Sequence, residues 1–332
     1  QRKTEIGLKL YMNKKHILKF IILIMTICMA SCILFACNEK PTSPNPTPTP
    51  EPKPPSEPLF YEEKEGYAYG EDIEITYFSN ITNTERKAYV TLPANYDETK
   101  AYPVLYLLHG MSCTYKSWLS MCNAKYVLQN LQIEGDAAAM IVVSVDSNIT
   151  SDAMPSIFSE DYCTMFDKTA DEIVTSIMPY VNEHYSTLTD RTDTAIAGFS
   201  MGGRETLLTA FKYQDYFNYV GAFSPSGFGD KPVSFDTTVP DFRYEEGKIF
   251  DVVMLAIGNL DTSTSLFYPH IDSKLTQNNI AHLSKKYAGG HDQSVWRNAL
   301  YDFAKMIFVD MNDYGGIQLK LKSCLLYTSK RK

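Results

Sequence analysis

The run Gly198-Phe199-Ser200-Met201-Gly202 admits very few local structures. A small apolar stretch, Thr194 to Ala197, leads into it, and a helix-like stretch, Arg204 to Tyr213, leads out. G-x-S-x-G in that setting predicts a tight strand-to-helix turn. Glycines on both sides let the backbone pass without a Cβ clash, and the serine hydroxyl is lifted out of the sheet. A helix beginning directly after Ser200 turns free N–H groups and a positive dipole end toward any negative charge that develops beside the hydroxyl. Ser200 is therefore the candidate nucleophile.

The segments around this turn alternate in type. Ile73 to Tyr77 and Arg86 to Leu92 alternate apolar and polar residues, and Pro93 and Asn95 close the second run, which predicts an antiparallel opening pair. Val104 to Leu108, Met140 to Val145, Thr194 to Ala197, Tyr219 to Phe223 and Val252 to Ile257 are short apolar runs, as expected of strands buried on both faces. Between and after them come helical stretches at Ala124 to Ile133, Thr169 to Tyr185, Glu205 to Tyr213 and Ser294 to Phe308. The order predicts an α/β fold, a mostly parallel central sheet with helices on both faces.

The ends of the chain do not belong to that pattern. Residues 1–11 read as upstream sequence ahead of a start at Met12, and 12–37 as a signal segment. Lys14, Lys15, His16 and Lys19 supply its basic part and Phe20 to Ala36 its apolar part. It closes on Leu34-Phe35-Ala36-Cys37, which resembles a bacterial lipobox and makes Cys37 the lipidated residue; Met29-Ala30-Ser31-Cys32 offers Cys32 as the alternative. An uncleaved anchor is the competing reading, since the run is near the ~18 residues that span a bilayer. Either way the remainder is expected outside the cytoplasm, as a surface lipoprotein or a secreted protein. Residues 38–58 form a linker whose Pro41–Pro58 stretch holds nine of the 17 prolines. Such a chain extends as polyproline II at roughly 3.1 Å per residue and buries no core. Cys324 to Ser329 resembles a translated sequencing-adapter end, so 315–332 is set aside and the domain is expected over 59–314.

With the ends removed, the charge changes character. The whole chain carries −8, but residues 38–314 hold 20 basic and 38 acidic side chains, a net of −18. A surface this acidic excludes nucleic acid and anionic lipid as partners and leaves neutral esters or polysaccharide acceptable. Only Cys113, Cys122 and Cys163 of the seven cysteines fall in the domain, so at least one is unpaired. No C-x-x-C or histidine-rich spacing suggests a metal, and no cofactor is expected.

A serine needs a base within hydrogen-bond reach and a carboxylate to orient that base. With this turn the chain order is Ser, then Asp or Glu, then His. Gly289-Gly290-His291-Asp292 places His291 in a flexible turn between a possible strand, Ala281 to Tyr287, and the last helix; His270 and His282 read as structural. Gly258-Asn259-Leu260-Asp261 places Asp261 just after the strand that ends near Ile257, either as the acid or as the N-cap of a helix starting near Ser263. Asp251 precedes that strand, Asp272 is helical, and Asp292 adjoins the base too closely to face it. Two N–H donors are needed for an oxyanion. Met201 supplies the first, and the loop after Leu107-Leu108-His109-Gly110 supplies the second through Met111, with Ser112 as the alternative.

Together these pieces resemble carbohydrate esterase family one, in particular the feruloyl esterase modules attached to bacterial xylanases. The resemblance rests on Tyr106-Leu107-Leu108-His109-Gly110, Trp118, Thr189-Asp190-Arg191, Ala195 to Gly203 and Gly289-Gly290-His291-Asp292 followed by Val295-Trp296, and covers residues 70–310. It implies an α/β-hydrolase fold without a cofactor, with Ser200 as nucleophile, Asp261 as acid and His291 as base. It also implies action on feruloyl or acetyl esters of xylan. The stretch Met111-Ser112-Cys113-Thr114 is closer to S-formylglutathione hydrolases. Trp118 and Trp296 either line a pocket for an aryl acid or pack the core. The competing functions are a non-catalytic glycan-binding lipoprotein on the same scaffold, an acyltransferase, a peptidase or a thioesterase.

Overall fold

A computed structural model describes residues 59–232 and 234–309. The signal-like segment with Cys32 and Cys37, the proline-rich stretch and the 315–332 tail lie outside the described residues. Among the described residues, eight strands form one sheet: β1 (Asp72–Ser79), β2 (Thr84–Thr91), β3 (Val104–Leu108), β4 (Ile141–Val145), β5 (Thr194–Phe199), β6 (Tyr219–Phe223), β7 (Val252–Gly258) and β8 (Leu283–Tyr287). Their spatial order is β1-β2-β4-β3-β5-β6-β7-β8. The expected opening pair is antiparallel, β2 runs antiparallel to β4, and β4, β3 and β5 to β8 run parallel to one another.

Strands β3 to β7 are buried along their whole length, which is why they read as unbroken apolar runs. Alternate residues go to opposite faces. Val104, Tyr106 and Leu108 of β3 join one core cluster, while Leu105 and Leu107 join the other. Helices α1 (Ala124–Glu134) and α6 (Gln293–Ala304) cover the second face. On the first lie α3 (Met178–His184), α4 (Met201–Lys212) and α5 (Tyr268–Gln277). The parallel register sets Leu108 beside Gly198, Phe199 beside Phe223 and Gly258 beside Tyr287, so the loops after β3, β5, β7 and β8 leave one edge of the sheet.

Two departures from the sequence reading have physical causes. The helix expected over Thr169 to Tyr185 is interrupted: a turn at Thr169–Glu172, a wider π turn at Ile173–Ile177, then α3. Pro179 lacks an N–H and its ring crowds the carbonyl four residues back, that of Thr175. The wide turn releases that carbonyl, which accepts from Asn80 Nδ2 at 2.6 Å. The helix α2 (Glu160–Asp167) was not expected; only Tyr162, Cys163, Met165 and Phe166 of its eight residues are buried.

The turn before this π segment also ties β1 to the helical layer. Glu172 is fully buried; it accepts from Tyr77 Oη at 2.8 Å and Ser79 Oγ at 2.7 Å and lies 3.3 Å from Arg86 Nε. Removing Glu172 takes the nearest counter-charge from Arg86, which keeps the carbonyls of Asp146 and Asn148 and an Asp146 carboxylate oxygen 4.0 Å away, a loss of at most about 3–5 kcal/mol. Glu172→Ala is expected to lower the unfolding free energy by up to that amount in urea titration, a large share of the roughly 5–15 kcal/mol typical of a domain.

Candidate active site

The turn at Ser200 has the predicted form. Ser200 has φ 57° and ψ −121°, a strained conformation, and directly precedes α4. Its N–H donates to Phe223 O at 2.9 Å, which fixes the turn to the neighbouring strand. The flanking glycines are required by close approach: a Cβ on Gly198 would sit 2.3 Å from Gly202 O, and one on Gly202 would sit 2.3 Å from Leu108 O.

Three loops bring the candidate triad residues together across 91 positions of sequence. Ser200 Oγ lies 2.9 Å from His291 Nε2, and His291 Nδ1 lies 2.8 Å from Asp261 Oδ2. An ionised carboxylate only accepts, so Nδ1 carries the imidazole proton and Nε2 is left to accept from the Ser200 hydroxyl. The helix that would have made Asp261 an N-cap does not start near Ser263: residues 262–267 are turns and α5 begins at Tyr268 with Phe267 at its N-cap, so Asp261 caps a turn instead. Its Oδ1 accepts from the N–H groups of Ser263 and Thr264, each at 2.9 Å, and Oδ2 accepts from Thr264 Oγ1 at 3.0 Å. Burial raises the pKa of this carboxyl. The His291 hydrogen bond and charge, with the Thr264 N–H, outweigh burial and bring it down to about 2. Because the folded value is lowered from 3.8, the stability this carboxylate contributes is complete above pH 3.8 and fades as pH falls toward 2.

The loops bearing base and acid are stitched to each other. Leu260 N–H donates to Gly289 O, and Gly289 N–H donates to Asn259 Oδ1. Asp292 caps α6 by accepting from Ser294 and Val295 N–H, and it also accepts from Gly290 N–H at 2.8 Å, so the residue beside the base shapes the turn that presents it. His270 is exposed on α5. His282 bonds to Ile280 O and to Asp272 Oδ1, far from the serine in role.

Trp118 does not line a pocket. It is wholly buried, its indole N–H donates to Leu108 O at 2.9 Å, and its ring packs edge-on against Phe199. Trp296, 5% exposed, stacks on Phe199 with ring centroids 4.1 Å apart and meets His291 edge-on at 5.2 Å. Both tryptophans therefore pack against the residue before the nucleophile, and Trp296 backs the imidazole. Leu260, the residue before the acid, is 73% exposed.

The candidate oxyanion donors differ in their availability. Met201 N–H opens α4, and no bond from it is made among the described residues. In the loop after β3, Ser112 N–H donates to Tyr162 Oη at 3.0 Å, Cys113 N–H to Gly110 O and Thr114 N–H to Ser117 Oγ. Met111 N–H has no acceptor among the described residues, which separates it from the alternative, Ser112. The loop passes close to the nucleophile, since a Cβ on Gly110 would lie 3.0 Å from Ser200 Cβ. His109 is buried and bonds through Nδ1 to Gly110 O, a structural position. Cys113, Cys122 and Cys163 are all free thiols.

Residues 79–248 match the Esterase family, described as "Putative esterase". A curated relative, the endo-1,4-beta-xylanase/feruloyl esterase of Xylanibacter ruminicola, is 29% identical over 174 residues; the match covers 49% of this chain but only 23% of the relative's length. Among solved structures, the ferulic acid esterase of carbohydrate esterase family one from Anaeromyces mucronatus, in complex with ferulic acid, is 34% identical. That match has a TM-score of 0.69 and covers 75% of this chain and 94% of that one. The S-formylglutathione hydrolase of Staphylococcus aureus, 18% identical with a TM-score of 0.52 over 70% of this chain and 96% of that one, shares the fold.

Proposed function

The chain belongs to the esterase family, as a serine carboxylic ester hydrolase of the carbohydrate esterase family one, feruloyl esterase type; from that premise we propose that it is an exported enzyme that frees feruloyl groups from plant xylan through Ser200, His291 and Asp261. The observation that carries this reading is the unbroken relay from Ser200 Oγ to His291 Nε2 at 2.9 Å and from His291 Nδ1 to Asp261 Oδ2 at 2.8 Å.

In the proposed reaction, Ser200 Oγ attacks the ester carbonyl as its proton passes to His291 Nε2. The N–H groups of Met111 and Met201 hold the negative oxygen of the tetrahedral intermediate. Its collapse breaks the bond to the sugar oxygen, which leaves with the proton from His291. Water then attacks the acyl-enzyme, giving its proton to the same nitrogen, and the acid departs as Ser200 recovers its hydrogen. Asp261 holds the imidazole in the required tautomer throughout.

Feruloyl rather than acetyl specificity follows the relatives named for ferulate, and the exposed Leu260, the residue before the acid, offers apolar surface to an aryl group. The Phe20 to Cys37 segment and the prolines after it would carry the enzyme outward and hold it away from the membrane through Cys37 or Cys32, within reach of a bulky polymer. A panel of methyl ferulate, acetylated xylan and p-nitrophenyl acetate tests the substrate. Methyl ferulate is expected to give the highest kcat/KM; release of acetate from xylan at a higher kcat/KM than ferulate would overturn the feruloyl assignment.

A further inference from the structure

We propose that Tyr162 is a positioning residue that holds the oxyanion loop against the Ser200 turn, with α2 bracing both oxyanion donors from one side. The inference rests on the reading of Met111 and Met201 N–H as those donors. The two donors belong to separate parts of the fold, the loop after β3 and the start of α4, and something must set the distance between them.

Helix α2 touches both parts. On the loop side, Tyr162 Oη accepts from Ser112 N–H at 3.0 Å, and Ser112 has φ 60°, a left-handed conformation that a serine keeps only when its surroundings hold it. Tyr162 is 1% exposed and stacks on Phe166 with centroids 5.4 Å apart; Phe166 in turn meets His109 edge-on, and His109 bonds to Gly110 O. On the α4 side, Asp167 at the end of α2 pairs with Arg204, itself 4% exposed, and Met201 packs into the same cluster as Tyr162, Cys163, Met165 and Phe166. The side chain of Met111 closes that cluster from the loop. Asn148 Nδ2 adds a further tether at Cys113 O, 2.9 Å. The tethers take Gly110 O, Ser112 N–H and Cys113 O, and the Met111 N–H between them has no acceptor among the described residues. The phenol thus acts through Ser112 on Met111, without needing to touch substrate.

Tyr162→Phe removes the hydroxyl and keeps the ring. Deleting an oxyanion donor costs about 10²–10³ in turnover, so displacing one is expected to lower kcat for methyl ferulate about 10- to 100-fold, with KM within about twofold. Affinity for a trifluoromethyl ketone analogue of ferulate, which forms an oxyanion on Ser200, should fall by the same factor, while affinity for ferulate itself stays unchanged. Assays are run well below the thermal midpoint of the variant. If Tyr162→Phe does not fold, Phe166→Leu keeps the hydroxyl, loosens its backing and is expected to shift the same ratio in the same direction. Unchanged kcat, or equal losses for ketone and ferulate, would overturn the role of Tyr162 while leaving the oxyanion reading intact. Wild-type enzyme that binds the ketone no more tightly than ferulate would instead overturn the oxyanion reading itself.

Discussion

Ser200→Ala is expected to lower kcat for methyl ferulate by about 10⁶-fold, the scale on which serine hydrolases lose turnover when the nucleophile is removed. The residual rate, roughly 10³–10⁴ over water, would come from binding and from the oxyanion donors, which the substitution leaves in place. Stability should hardly move. The strain at φ 57° belongs to the backbone and is fixed by the Phe223 bond and by the close packing at Gly198 and Gly202, none of which involves the hydroxyl. The variant loses one partly buried hydrogen bond, to His291, a change of about 1 kcal/mol. Turnover measured beside a thermal melt separates the outcomes. An inactive, folded variant fits the proposed role, whereas an active one would place the nucleophile elsewhere.

Asp261→Asn is expected to lower kcat by about 10⁴-fold with little change in KM, and the hydrogen bonds around the carboxylate say why. Oδ1 accepts from two backbone N–H groups, those of Ser263 and Thr264, so the amide oxygen of an asparagine must stay on that side. Its NH2 group then takes the place of Oδ2, facing Thr264 Oγ1, which can accept, and His291 Nδ1. Donation to Nδ1 forces the imidazole proton onto Nε2, the atom that must take the proton of Ser200. The turn keeps its cap and the base becomes the wrong tautomer. Single-turnover acylation with p-nitrophenyl acetate reads the effect directly; a loss below tenfold would show that the tautomer is not set by this residue.

The chemistry was more legible in the sequence than its support. Ser200 and His291 stand beside glycines and Asp261 lies in the loop after an apolar strand, and these local signals, together with the Ser-Asp-His chain order and the family resemblance, singled them out as candidates. Strands β3 to β7 were plain for a related reason: burial on both faces leaves no polar interruptions. Trp118 was ambiguous because a tryptophan suits a pocket wall or a core, and only its bond to Leu108 O decides the matter. Helix α2 escaped notice because its acidic first turn and short length hide a buried face of Tyr162, Cys163, Met165 and Phe166. The contact that gives α2 its importance, Tyr162 to Ser112, spans 50 residues and carries no local signature. The stretch Thr169 to Tyr185 reads as one helix despite Pro179, and nothing local says that Asn80 would take up the carbonyl released.

If His291 makes Ser200 nucleophilic, treatment of the purified protein with a fluorophosphonate, followed by peptide mass spectrometry, gives a single phosphonyl adduct on Ser200, absent from His291→Ala under the same exposure. No adduct on the wild-type protein, an adduct on a different serine, or equal labelling of the His291→Ala variant would contradict that activation.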